Sequence, residues 1–185
     1  MTASLTSVLP ALAPSFGLTP QALYERKRAL IKLGMLPSPQ GRGRRGGAAA
    51  APDTIALLLI AVMVTGSLSE MDGRVKKLAA ARFQGQQSRR CPITGASTFH
   101  EAITFLLSEK APISRESDTL LEITVSRSKP TATISYFAWP ARRDTLHTEF
   151  GPQLFDESVM SANAELRHAA FLTVREVALA SIRET

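Results

Sequence analysis

A chain of 185 residues, 44% of them hydrophobic, can bury at least one real core, and two small domains fit that length as well as one large one. The single cysteine, Cys91, excludes an intrachain disulfide and a cysteine-rich zinc site and suits a reducing cytoplasm. The net charge of +6 belongs to one half: residues 1–90 hold 13 Lys and Arg against 4 Asp and Glu, and residues 91–185 hold 9 against 12, so +9 faces −3. A concentrated cationic field of that kind favours a polyanion, either nucleic acid or an acidic membrane surface.

In chain order, Ser7 is a candidate cap for a short helix in which Leu5, Val8, Leu9 and Leu12 recur at helical spacing, with Pro10 tolerated in the first turn. The first charge is Glu25, so no secretory leader is expected. Pro14-Ser15-Phe16-Gly17 breaks the chain, and Thr19-Pro20 supplies an N-cap with proline at the first helical position. The helix that follows runs to about Leu33, buries Ala22, Leu23, Ala29, Leu30 and Leu33, and stops at Gly34, a residue suited to a left-handed C-terminal position. Helix, tight turn, helix is the expected unit.

Pro37 to Pro52 is too rich in glycine and proline for a helix and carries Arg42, Arg44 and Arg45, which predicts a cationic loop. Asp53 can cap an apolar helix from Thr54 to Val64, whose run of ten apolar residues is about half of the ~20 needed to span a bilayer. A buried helix in a soluble protein is expected there. Another helix is expected over Leu68 to Phe83, bearing Arg74, Lys76, Lys77 and Arg82, and Gly85 to Gly95 reads as a linker. Thr98-Phe99-His100-Glu101 has the capping-box pattern and leads a stripe of Phe99, Ala102, Ile103, Leu106 and Leu107. Leu121, Ile123 and Val125, then Ala132, Ile134 and Tyr136, alternate with polar residues around Arg127-Ser128-Lys129-Pro130, which predicts a β-hairpin, with a third strand over Thr145 to Phe150. Thr173-Val174-Arg175-Glu176 repeats the capping-box pattern ahead of a terminal helix.

The order helix, turn, helix opening on Thr-Pro, then Tyr24-Glu25-Arg26, Leu33-Gly34-Met35-Leu36-Pro37, the Arg42 to Gly47 loop and Gly66-Ser67-Leu68, resembles the mercury-resistance (MerR) type of winged helix-turn-helix and the related phage excisionases. The resemblance covers roughly residues 1–83. It implies a DNA-binding domain in which the second helix enters the major groove and the loop forms a wing. Independently of the resemblance, one turn every ~3.6 residues puts Gln21, Arg28 and Lys32 near one face, with Tyr24 and Lys27 beside it. Gln21 and Arg28 suit base edges, while Lys27, Lys32 and the loop arginines Arg42, Arg44 and Arg45 suit phosphates or the minor groove.

Other motifs fail on context. Gly41-Arg42-Gly43-Arg44-Arg45-Gly46 matches the dinucleotide fingerprint letter for letter, but it follows a helix and two prolines rather than a buried strand. His100-Glu101 opens like a zinc-protease helix, yet the fifth residue is Thr104. Cys91, His100, His147 and His168 show no local catalytic spacing, and Trp139 with Tyr136, Phe137, Arg142 and Arg143 reads as core and rim of the hairpin, the alternative being a surface that stacks on bases or meets a partner.

The expected fold class is therefore α+β. A mostly α winged helix-turn-helix domain (1–83) and a linker (84–97) precede a small α+β domain (98–185) that dimerises or binds a partner protein. The expected function is that of a cytoplasmic, double-stranded DNA-binding transcriptional regulator, in a mobile or phage-like element, with no cofactor, metal or enzymatic activity. A homodimer is expected, since one recognition helix reads too few bases for a unique site and a two-fold protein reads two half-sites. The alternatives are a packaging component of a phage-like element, resembling a small terminase subunit, and a cytoplasmic enzyme, for which no catalytic set is evident.

Overall fold

The structure, a computed structural model, describes residues 3–38, 47–71, 73–85, 88–113, 119–138, 145–152 and 162–183. Helix α1 (Leu5–Leu12) buries Leu5, Leu9 and Leu12. Its cap is Ser4, whose hydroxyl accepts from the Ser7 N–H at 3.2 Å, so the helix begins before the Ser7 cap read from the sequence. Pro10 consequently stands in the second turn, where it removes a backbone donor. A 3₁₀ turn (Pro14–Phe16) leads to α2 (Pro20–Lys32), capped by Thr19, which accepts from the Ala22 N–H at 3.2 Å. Gly34 takes the left-handed conformation (φ 70°) that ends this helix, and the Met35 N–H then closes back on the Leu30 carbonyl at 3.0 Å.

Helix α3 (Pro52–Val64) is buried on almost every side, as a helix apolar all round must be. Its N-terminal cap comes from Thr54 rather than Asp53: the Thr54 hydroxyl accepts from the Ala51 N–H at 3.1 Å and donates to the Ala49 carbonyl. The long helix expected over Leu68 to Phe83 is instead a 3₁₀ turn (Leu68–Glu70) followed by α4 (Gly73–Ala79). Tertiary pairing claims the end of that segment, because the Phe83 N–H bonds the Ser97 carbonyl at 3.0 Å and the Gly151 N–H bonds the Arg82 carbonyl at 2.8 Å.

Helix α5 (Phe99–Leu107) has the full capping box: Thr98 Oγ1 accepts from the Glu101 N–H, and the Glu101 carboxylate accepts from the Thr98 N–H. All five members of its apolar stripe are buried. Strands β1 (Thr119–Ser126), β2 (Ala132–Ala138), β3 (Leu146–Phe150) and β4 (Asn163–Arg167) form one antiparallel sheet in the order β3-β2-β1-β4. The hairpin register sets Ile123 against Ile134 and Leu121 against Tyr136, so one face of the sheet is apolar and faces the helices. Strand β4 was not expected; it contributes Leu166 to that face, paired with Ile123. It runs directly into α6 (His168–Arg183), which starts ahead of the predicted Thr173 cap. Thr173 lies inside the helix and donates to the Ala169 carbonyl at 3.2 Å.

The class is α+β, with the helices mainly N-terminal and the sheet C-terminal. The division at 84–97 does not correspond to a break in packing. One cluster of buried side chains runs from Leu5 to Ala178, with α3 packed against α2, α4, α5 and α6, and α1 against α6. Within the expected linker, residues 91–96 form a turn around buried Cys91, whose N–H bonds the Ala96 carbonyl at 2.8 Å, while residues 84, 85 and 88–90 are exposed. Phe150 of β3 meets Phe99 of α5 at 5.5 Å and Phe83 at 5.8 Å between ring centroids. Arg175 of α6 fastens the chain after α5 by donating to the Ser108 (3.0 Å), Ala111 (3.1 Å) and Ile113 carbonyls.

Candidate nucleic-acid interface

Helix α2 has two unlike sides. Leu23, Arg26, Lys27 and Leu30 face inward, against α1 and α3, while Gln21, Tyr24, Arg28 and Lys32 are exposed. Four of the five helical residues assigned to DNA thus lie on the open side. Lys27 does not. It is only 6% exposed, and its ammonium donates to Thr6 Oγ1 of α1 and lies 5.3 Å from the centroid of the Tyr24 ring. Burial holds its pKa below the ordinary lysine value. The period of the helix places Lys27 a turn from Tyr24, beside α1, and its long apolar stem lets it cross that interface. It joins α1 to α2 rather than facing a ligand.

The sequence reading also missed the part played by Glu25. Its carboxylate stands between two residues assigned to base edges, accepting from Gln21 Nε2 at 2.9 Å and pairing with Arg28 at 3.3 Å. The spacing i, i+4 and i, i+3 puts these side chains within reach of one another once the helix forms. The exposed stripe therefore carries one acid among its cations, and the Gln21 and Arg28 side chains are both drawn along the helix toward Glu25.

Arg42, Arg44 and Arg45, along with the glycine-rich match to the dinucleotide fingerprint, lie outside the described residues. The returning end of that segment is fixed: the Leu5 N–H bonds the Ala48 carbonyl and the Ala50 N–H bonds the Ala3 carbonyl, both at 2.8 Å. The segment thus leaves from the C-terminal end of α2 and comes back beside the start of α1.

The cysteine and histidines are employed separately. Cys91 is buried, His100 Nε2 meets the Asp53 carbonyl at 3.0 Å, His147 Nδ1 meets Ser135 Oγ at 2.9 Å, and His168 Nδ1 accepts from the Leu121 N–H at 3.1 Å. No three His, Cys, Asp or Glu side chains gather as a metal site among the described residues. No helix among them is long and apolar enough to cross a membrane.

A second group of cations was invisible in the sequence, because its members are distant along the chain. Arg74 and Lys77 of α4 and Arg127 and Lys129 of the β1–β2 turn line one cleft with Val64, Ser128 and Pro130. Behind them Arg26 is 7% exposed, and its Nε is without a hydrogen-bond partner among the described residues. Burial, and next the charge of Arg127, hold Arg26 below the usual guanidinium pKa.

Comparison with family models, curated proteins and solved structures gives no match.

Proposed function

We propose that this protein binds double-stranded DNA through the solvent-facing side of α2 and acts as a transcriptional regulator, as a homodimer that reads two half-sites. The observation that carries the reading is the exposure of Gln21, Tyr24, Arg28 and Lys32 on a helix whose other side is locked into the core. A helix fixed to the core on one side, with polar and cationic side chains along its open side from Gln21 to Lys32, is what a major groove accepts. The positive balance of the first 90 residues supplies a long-range attraction to a polyanion, and Arg42, Arg44 and Arg45 add charge for phosphates. Arg28 and Gln21 read base edges, Lys32 contacts the backbone, and Glu25 gives up its two partners as the bases take them.

Selection of bound duplexes from a random pool tests the assignment of base reading. The wild-type chain enriches a short palindromic consensus, and Arg28→Ala changes the preferred base at one position in each half-site while leaving the other positions intact. Lys32→Ala weakens all sequences alike and reduces the salt slope by about 0.9 per lost phosphate contact. An unchanged consensus for Arg28→Ala overturns the assignment.

A further inference from the structure

The cleft between α4 and the β1–β2 turn has the composition of an oxyanion site. Arg74 and Lys77, spaced i, i+3, share one face of α4. Arg127, Ser128 and Lys129 of the β1–β2 turn line the same cleft. No residue that lines the cleft is acidic among those described. Among the described residues, the C-terminal end of α3, worth roughly half a negative charge, opposes these cations. Much of that is already engaged, because Arg127 Nε donates to the Met63 carbonyl at 3.1 Å. The cationic side chains of Lys77, Arg127 and Lys129 outweigh it. The buried Arg26 guanidinium, whose Nη1 donates to the Ala22 carbonyl while its Nε has no partner among the described residues, adds a further positive charge that repels Arg127. An anion in the cleft would offset that repulsion.

Size narrows the ligand. The cleft encloses about 190 Å³, below the ~300–1,000 Å³ of pockets for drug-sized molecules, yet enough for one tetrahedral group and a few waters. Paired Arg and Lys donors with a hydroxyl match the several acceptor oxygens of a phosphate better than the single plane of a carboxylate. We propose that the cleft formed by Arg74, Lys77, Arg127, Ser128 and Lys129 binds a phosphoryl group. The site lies on different elements from the exposed side of α2 and does not depend on the duplex reading. The phosphoryl group belongs either to a nucleic-acid backbone or to a free phosphorylated molecule.

The test is a titration of the full, isotope-labelled chain with inorganic phosphate and, separately, with a mixed-sequence duplex, followed by amide NMR. Phosphate should shift the amides of Arg74, Lys77, Ser128 and Lys129 along a saturating curve. The double variant Lys77→Gln, Lys129→Gln should weaken that binding on the order of tenfold or more, since charged hydrogen bonds are lost. Both lysines lie on the surface of the cleft, and Ser128→Asp, which only adds an opposing charge at an exposed position, should abolish saturation in a chain with an otherwise unchanged spectrum. If the duplex shifts the same amides and phosphate competes with it, the group is a backbone phosphate. If phosphate alone shifts them, it comes from a free molecule. Shifts that grow without saturating, that spread evenly over all basic residues, or that survive both variants overturn the proposal. Duplex binding that perturbs α2 while the cleft stays silent to both ligands would do the same and leave the DNA reading intact.

Discussion

Glu25 decides how the exposed side of α2 behaves, because it holds Gln21 and Arg28 in place and at the same time repels phosphate. An exposed ion pair is worth little, roughly 0.2–1 kcal/mol, so its loss costs the fold almost nothing while the freed cation becomes available. Glu25→Gln should accordingly tighten binding to a mixed-sequence duplex about two- to fivefold at low salt, by fluorescence anisotropy; equal or weaker binding would show that Glu25 does not face the duplex. His168 gives a prediction in pH. Burial keeps its imidazole below the ordinary value of 6.5, and the neutral Nδ1 is the acceptor for Leu121. Since the folded pKa is the depressed one, this contribution to stability is complete above pH 6.5 and is lost as pH falls through the folded value. The melting temperature should therefore drop on going from about pH 7 to pH 5, and drop less in His168→Asn, whose amide oxygen keeps the acceptor without titrating. Equal slopes in the two proteins would contradict this. The helical period grouped Gln21, Tyr24, Arg28 and Lys32 on or beside one face, and all four are exposed. It misplaced Lys27, because periodicity does not say which flank of a helix a neighbouring helix will cover.

At the scale of the element, local rules succeeded where a segment's own hydrogen bonds are its strongest claim. The Thr98–Glu101 capping box, the Gly34 stop, and the alternation of Leu121, Ile123, Val125 and Ala132, Ile134, Tyr136 all appear as read. Thr98→Ala should cost about 1 kcal/mol in chemical denaturation, because the Glu101 N–H loses its Thr98 Oγ1 acceptor while the Glu101 carboxylate still accepts from the N–H of residue 98. A loss below a few tenths would mean that tertiary packing, not the cap, holds that end. The failures share a cause. The 68–83 helix is cut short because Arg82 and Phe83 are recruited to pair with Thr98 and Phe150, and β4 and the early start of α6 depend on β1 offering a free edge. Ser7 and the Thr173–Glu176 pattern were read as starts, but the helices begin earlier, at Leu5 behind the Ser4 cap and at His168 directly after β4. The phosphoryl cleft was beyond any local rule, since it unites positions 74–77 with 127–129.

At the scale of the molecule, the split of charge suggested two domains, yet charge records partners and says nothing about where a core ends. Helix α3 carried the better signal: being apolar on every side, it needs neighbours on every side, and α1, α2 and α4 alone do not surround it. Helices α5 and α6 and the sheet complete the shell. Neither residues 1–83 nor residues 98–185 should then fold alone, and each fragment should lack a cooperative thermal transition by circular dichroism, whereas the whole chain melts in one step; a folded 1–83 fragment would refute the single core. The shared core also makes α2 a stiff element, backed through α1 and α3 by the rest of the chain, as base recognition within a fraction of an ångström requires. The most direct trial of the account is the affinity of the full chain for double-stranded DNA between about 50 and 200 mM salt, where several phosphate contacts should give a fall of at least tenfold. We predict tight binding at the low end that Arg28→Ala and Lys32→Ala each reduce; no binding in dilute salt, or binding indifferent to both substitutions, would contradict it.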